Sequence, residues 1–494
     1  MRTAGIVLAV LVYALLAPAE ISPDARMVAA IATLMAFWWI SEAIPLAATS
    51  LLPIVLFPLL TERSIAETTT AYANPIVFLF LGGFLLAIAM EKWNLHRRIA
   101  LHTLALVGVS PYRIVLGMML ATGFLSMWVS NTATTLMMLP IGFSVLGLVS
   151  GAGISGSESK SIASGDMDPE VAAFGICLVL AIAWSASMGG LGTLLGSPPN
   201  AIMAGYAESE LGVSIGFVNW MMLGVPLALT FILIGWLLLT RVLYRFDLKE
   251  IPGGKQLIEG EIAELGAMSQ GERVVALVFG SAAFLWIVPG LLVEIPAIGE
   301  AMPWIDALND TSIAIAAGLA LFLLPGRGKG EMVLRWSDAE KGLPWGVLLL
   351  FGGGLSLAGA VAGTGLDNWL GGQVSGLAAL PAVLLVAAVV AIVLFLTEVT
   401  SNTATAATFI PVLGGVAIGI GADPTSLLIP AAFAATCAFM LPVGTPPNAI
   451  AFSTGAVTIG QMARGGVVLN LLGIALITAF VYVLGGVALG LQFN

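Results

Sequence analysis

Ser130-Asn131-Thr132-Ala133-Thr134 recurs as Ser401-Asn402-Thr403-Ala404-Thr405, 271 residues further along the chain. Each copy interrupts a long apolar stretch, where small polar side chains are expensive unless something binds to them. At the same offset Phe124-Leu125 matches Phe395-Leu396, Ser126 matches Thr397, and Pro140 matches Pro411. A second phrase follows each copy. Gly196-Ser197-Pro198-Pro199-Asn200-Ala201-Ile202 returns 248 residues later as Gly444-Thr445-Pro446-Pro447-Asn448-Ala449-Ile450. Leu81-Gly82-Gly83 against Phe351-Gly352-Gly353 is a third, weaker echo. Two polar phrases in the same order in each half describe a duplicated membrane protein with a site where the halves meet.

Composition agrees. Of 494 residues, 59% are hydrophobic and 9% charged, whereas soluble domains carry about a quarter charged. The apolar segments are too long, and too free of period-2 alternation, for an outer-membrane barrel. The class is an all-α polytopic membrane protein, with the lipid bilayer as its surroundings and no nucleic-acid partner. Cys177 and Cys437 both lie in apolar segments and read as small core hydrophobes.

Candidate spans fall near 4–18, 26–43, 45–60, 75–91, 171–206, 215–243, 273–293, 311–325, 343–362, 427–455 and 465–490. The first resembles a secretory signal ending in Ala17-Pro18-Ala19, but reads as a retained, rather short span. Two further apolar blocks, about 114–150 and 380–421, carry the Ser-Asn-Thr phrases.

Charge placement orients the chain. With 92–113, 241–273 and 326–342 cytoplasmic, 16 basic residues fall inside and only Arg26 and Arg63 outside. The loop 294–310, with Glu294, Glu300, Asp306 and Asp310 and no basic residue, then faces outward. This holds only if both phrase-bearing blocks re-enter as hairpins, the first from the cytoplasm and the second from outside. Polar backbone at such tips is tolerated at membrane depth only beside protein or a watery cavity. The expectation is therefore about 11 transmembrane helices plus two re-entrant hairpins in an inverted-topology repeat, near 26–245 and 272–490. The N-terminus is placed in the cytoplasm and the C-terminus outside.

Three segments read as peripheral. Residues 151–168 form a flexible Gly/Ser loop. Residues 247–271, interrupted by Pro252-Gly253-Gly254, form the cytoplasmic linker between halves, with a candidate surface helix. Residues 92–112 suit a helix lying in the cytoplasmic interface, with plain surface roles for His96 and His102.

The Pro-Pro pairs lie mid-span. Proline lacks an amide hydrogen and its ring clashes one turn back, so 171–206 and 427–455 should each break into half-helices. A break exposes carbonyls, which suit a cation, and amides, which suit an anion. No Lys, Arg or His occurs in 114–150, 171–206, 380–421 or 427–455. A dianion held there has no fixed cationic partner, so bound Na+ is the natural neutraliser. Glu398 is the only acid inside either hairpin and matches Met127 in the first half. That asymmetry argues against a core role for it, with a proton or cation relay as the other possibility.

The twin Ser-Asn-Thr phrases, the twin Pro-Pro-Asn breaks and Trp38-Trp39-Ile40-Ser41-Glu42-Ala43-Ile44-Pro45 resemble the divalent anion/sodium symporter family of dicarboxylate, citrate and sulfate carriers. The resemblance covers nearly the whole chain. It implies a homodimer in a cell membrane, here a bacterial inner membrane, working as an elevator-type transporter. It also implies a scaffold (1–113 and 247–375) and a transport domain (114–246 and 376–494). By that resemblance one Na+ would lie by Ser126, Ser130, Asn131 and Gly196. A second would lie by Thr397, Thr400, Asn402 and Gly444. The substrate carboxylates would meet Asn131, Thr132, Asn402 and Thr403, with Ser197, Pro198, Thr445 and Pro446 opposite.

The resulting expectation is Na+-coupled import of C4-dicarboxylates such as succinate, malate or fumarate, with two or more Na+ per cycle. Within the class the alternatives are a sulfate or citrate carrier, or a dicarboxylate exchanger. A membrane-embedded enzyme would need a buried nucleophile–base pair, paired aspartates or a metal motif. The chain has no His-Glu-x-x-His and no pair of intramembrane aspartates.

Overall fold

The computed structural model describes residues 1–150, 168–293, 308–327, 330–374, 376 and 379–493. The Gly/Ser loop at 151–167, the charges Lys160, Glu294, Glu300, Asp306 and Lys329, and most of the acidic loop lie outside the described residues.

The first half runs α1 (Arg2–Leu15), α2 (Pro23–Ser41), α3 (Leu46–Thr49), α4 (Leu52–Leu60), α5 (Ile65–Thr70), α6 (Pro75–Lys92) and α7 (Leu95–Val107). It continues with α8 (Pro111–Ser126), α9 (Asn131–Ser150), α10 (Pro169–Gly189), α11 (Pro198–Leu211) and α12 (Phe217–Leu238). After the linker helix α13 (Gly254–Leu265) come α14 (Gln270–Val293), α15 (Asp310–Leu323), α16 (Trp336–Gly342), α17 (Trp345–Gly363) and α18 (Leu366–Gln373). The chain ends with α19 (Ala382–Thr397), α20 (Asn402–Gly419), α21 (Thr425–Thr436), α22 (Pro446–Ser453) and α23 (Ile459–Leu489).

Among the described residues, eight helical stretches are long and apolar enough to cross a membrane. Among the described residues, the one β-structure is a short antiparallel ribbon, Pro325–Arg327 against Glu331–Met332. Gly330, just ahead of the second strand, has φ 124°, which glycine tolerates. The expected span 45–60 is two helices, with Ser50 between them accepting from the Tyr72 hydroxyl through its carbonyl.

Chain ends of helices carry the caps their residues predict. Asn74 accepts from the Ile76 amide ahead of Pro75, and Thr458 forms a capping box with Gln461. Inside the bilayer, packing rather than the hydrophobic effect holds helices together, so small residues mark the closest approaches. Gly189 of α10 is such a place: a Cβ there would lie 2.2 Å from the Gly123 carbonyl oxygen of α8. α10 is correspondingly central, with 89% of its membrane window buried, while α14 at 22% is peripheral.

The two halves interlock reciprocally. α11, which follows the first break, packs on α20 and α21 of the second half. α22, which follows the second break, packs on α9 and α10 of the first. Within each half the paired arms pack together and on the helix leading into the break: α8 and α9 on α10, α19 and α20 on α21.

One expectation is corrected. His96 is not a surface residue: it is 5% exposed, and its Nδ1 lies 2.9 Å from the Met90 carbonyl oxygen. α7 is covered by the linker helix α13 and tied down by Arg97–Glu261 and Arg98–Glu272 ion pairs. His102 remains exposed. The basic and apolar mixture in α7 thus serves contacts within the protein as well as an interface.

Candidate functional site

Both breaks form where the proline pairs stand. α10 ends at Gly189, a single 3-10 turn spans Leu194–Gly196, and α11 restarts with Pro198 at its first position. α21 ends at Thr436 and α22 restarts with Pro446. The residue ahead of each proline is extended, as the proline ring demands: Ser197 has φ −151° and Thr445 φ −143°.

The asparagines after the prolines brace these breaks in the same way. Asn200 Nδ2 donates to the Gly190 and Thr193 carbonyls, both at 2.9 Å. Asn448 Nδ2 donates to those of Ala438 and Leu441, both at 3.0 Å. The Thr193 hydroxyl donates to the Met127 carbonyl at 2.5 Å, fastening the first break to the first helix pair.

The Ser-Asn-Thr phrases close the turns between α8 and α9 and between α19 and α20, with Ser130 and Ser401 ending the turns and Asn131 and Asn402 opening the following helices. All four polar phrases line one cavity of about 1150 Å3. Asn131, Thr132, Ser197, Pro198, Asn402, Thr403, Thr445 and Pro446 all contribute to its wall, as do Ser130, Gly196, Thr400 and Gly444. Among the described residues, its lining contains no Lys, Arg or His. Toward one end it reaches Ser41, Glu42, Glu91 and Gly342.

Ser126 and Thr397 lie just behind that wall. Ser126 Oγ is 2.5 Å from the Asn131 side-chain oxygen. That same end of the Asn131 amide is 3.2 Å from the Ala186 and Gly196 carbonyl oxygens. With nitrogen in that position it donates to both carbonyls. With oxygen there, four oxygens converge, the kind of set a hard cation takes. In the second half Thr397 Oγ1 donates to Asn402 Oδ1 at 2.7 Å and lies 3.1 Å from the Ala435 carbonyl.

The remaining candidates are engaged locally. Ser130 Oγ accepts from the Ala133 amide at 3.2 Å, and Thr445 Oγ1 from that of Asn448 at 3.3 Å. Thr400 Oγ1 bonds the Leu396 carbonyl at 3.0 Å and Thr405 Oγ1 at 2.5 Å. Thr436 was not singled out in the sequence, yet its hydroxyl donates to Ser197 Oγ across the halves. Asn200, Asn448 and Thr193 were likewise missed. The recurrence of the asparagine after both proline pairs was the signal for two of them.

Crossing apolar helices, two of them interrupted around a shared polar cavity, define a polytopic α-helical membrane transporter. The chain belongs to the family described as the sodium:sulfate symporter transmembrane region, whose model matches residues 1–489. It is 44% identical over 491 residues to the sodium-dependent dicarboxylate transporter SdcS of Staphylococcus saprophyticus, covering 99% of this chain and 91% of that protein. It is also 44% identical over 472 residues to SdcS of Staphylococcus aureus USA300, covering 94% and 87%.

Two solved structures share the fold at low identity. The Alcanivorax borkumensis YdaH transporter superposes with a TM-score of 0.58 at 14% identity, over 95% of this chain and 99% of that one. Neisseria gonorrhoeae MtrF, from a class of antimetabolite efflux pumps, gives 0.54 at 13% identity, over 96% and 97%.

Proposed function

We propose that this protein is a Na+-coupled importer of C4-dicarboxylates working as an elevator. One observation carries the reading: four polar phrases, paired across the two halves, share a cavity whose wall, among the described residues, has no basic side chain. Such a wall offers amides and hydroxyls to carboxylates but no countercharge, which leaves that role to co-bound cations. The relatives named for sodium-dependent dicarboxylate transport support the choice of both solutes.

In this reading Asn131, Thr132, Asn402 and Thr403 meet the carboxylates at the two tips, with Ser197-Pro198 and Thr445-Pro446 facing them. Na+ binds by Ser126, Ser130, Asn131 and Gly196, and again by Thr397, Thr400, Asn402 and Gly444. The α8–α9 and α19–α20 pairs are re-entrant hairpins of an inverted repeat with about 11 transmembrane helices. Residues 114–246 and 376–494 move as the transport domain against a scaffold of 1–113 and 247–375. The protein works as a homodimer in a bacterial inner membrane, with its N-terminus in the cytoplasm and its C-terminus outside.

The cavity reaches Glu91 and Gly342, chain neighbours of Lys92 and Lys341. By the positive-inside rule that end faces the cytoplasm, which describes the inward-facing state.

Uptake of labelled succinate into proteoliposomes, with and without an inward Na+ gradient, tests the reading. Uptake indifferent to Na+ would remove the symporter. Because the family's description names sulfate, sulfate serves as the competitor. Sulfate displacing succinate at lower concentration than malate would reassign the substrate.

A further inference from the structure

Glu398, at the end of the first arm of the α19–α20 pair, is 3% exposed and, among the described residues, belongs to no ion pair. Its Oε1 accepts from the Phe439 amide at 2.7 Å, the Met440 amide at 3.0 Å and Asn470 Nδ2 at 2.7 Å. Its Oε2 accepts from the amides of Met440 at 3.0 Å and Leu441 at 3.1 Å. Every partner is a donor, the set an acceptor-only carboxylate takes. One side chain therefore joins the hairpin arm, the unwound stretch after α21 and the fully buried Asn470 of α23.

The first half is built differently. Its matching residue, Met127, lies against Gly192 with its side chain and accepts the Thr193 hydroxyl with its carbonyl. One break is thus braced by a neutral hydroxyl and the other by a carboxylate. Moreover, a Cβ built on Gly444 would lie 3.2 Å from both the Glu398 carbonyl oxygen and its Oε2. The carboxylate and the glycine assigned to the second Na+ are direct neighbours.

We propose that Glu398 is the positioning residue of the second cation site, and the source of its advantage over the first. It holds 437–444 in the shape that brings Gly444 toward Thr397 and Asn402. It also lends that site a negative charge for which the first site has no equivalent. The two sites are therefore unequal, and the second fills at the lower Na+ concentration. This inference rests on reading Thr397, Asn402 and Gly444 as a Na+ site.

The test uses the full-length protein in proteoliposomes, with labelled succinate and a Na+ titration. Glu398→Gln should raise the half-saturating Na+ concentration about tenfold. The succinate KM at saturating Na+ should stay within about twofold of the parent. Asn470→Ala removes one donor to Oε1 and should move Na+ dependence the same way, by less. The Na+-induced rise in melting temperature, measured against K+, should shrink in the same order.

An unchanged half-saturating Na+ concentration with a lower melting temperature would reduce Glu398 to a structural brace and overturn the proposal. An altered pH profile at unchanged Na+ dependence would make it a proton carrier instead. Should Glu398→Gln fail to fold, the Na+ titration of Asn470→Ala decides alone. Parent uptake that ignores Na+ would remove the underlying function, a failure visible before any variant is made.

Discussion

The Thr436 hydroxyl donates to Ser197 Oγ at 3.0 Å, sharing its one proton with the Ala432 carbonyl at 3.2 Å, and so joins the last turn before one break to the residue that ends the other. The two residues are 239 positions apart in sequence and both are buried. Accepting this bond leaves the Ser197 O–H free to donate into the cavity, since a hydroxyl accepts and donates at once. Thr436 therefore aims a group that faces the carboxylates in the proposed site.

Replacing Thr436 by valine removes the bond and keeps the shape. It should cost about 0.5–1.5 kcal/mol of stability. The succinate KM should rise about threefold to tenfold with kcat little changed, because the lost term acts on binding. Uptake kinetics and thermal melting check this. Effects of Thr436→Val and Ser197→Ala that simply add in the double variant would show the two residues to be uncoupled.

Asn131→Ala and Asn402→Ala should each abolish succinate uptake while leaving a monodisperse, helical protein. The two side chains are only partly buried at the cavity wall, so truncation leaves the helix packing intact. Transport assays alongside size-exclusion chromatography and circular dichroism separate the two effects. Uptake persisting in either variant would mean the site is misplaced.

Asn200 should be the more fragile asparagine. Its nitrogen spans the Gly190 and Thr193 carbonyls at the first break. Asn200→Ala leaves two buried acceptors unpaired, costing about 2 kcal/mol. Asn200→Asp aims an oxygen at the same carbonyls and should cost more. Yield and melting temperature should therefore fall in the order parent, alanine, aspartate, and aspartate performing as well as asparagine would refute the bracing role.

Lys92–Asp338 gives a pH signature away from the membrane segments. Burial pushes the Asp338 carboxyl up, but the Lys92 ammonium at 2.7 Å, the Arg335 amide and both nearby positive charges together hold it below the usual range. A depressed carboxyl stabilises fully above its unfolded value of about 4 and loses that contribution as pH falls through its folded value. Both side chains are about a quarter exposed or more, so the effect should stay below about 1 kcal/mol. Melting curves of Asp338→Asn should be flatter than the parent's across that acid window and equal in slope near neutrality.

Long apolar windows revealed the spans, and paired prolines revealed the breaks, because both signals are local. The Ser-Asn-Thr tips stood out because polar residues recurred where apolar ones were due. Thr436, Thr193 and Asn470 gave no such notice: a buried hydroxyl or amide acquires its role from a partner tens or hundreds of residues away. Glu398 was visible, but nothing in its lack of a counterpart in the first half disclosed its partners, the amides of Phe439, Met440 and Leu441 and the Asn470 side chain. His96 escaped for the converse reason, since its basic neighbours find their carboxylates on the linker helix and on α14, out of reach of any sequence window.

A chamber that borrows its countercharge from travelling companions cannot keep the anion once those companions depart. On a side where sodium is scarce, loss of the ions would loosen the cargo, and recapture would have to wait for sodium to return. Net direction would then be written in the salt imbalance across the lipid, and no difference between the protein's two faces need enforce it.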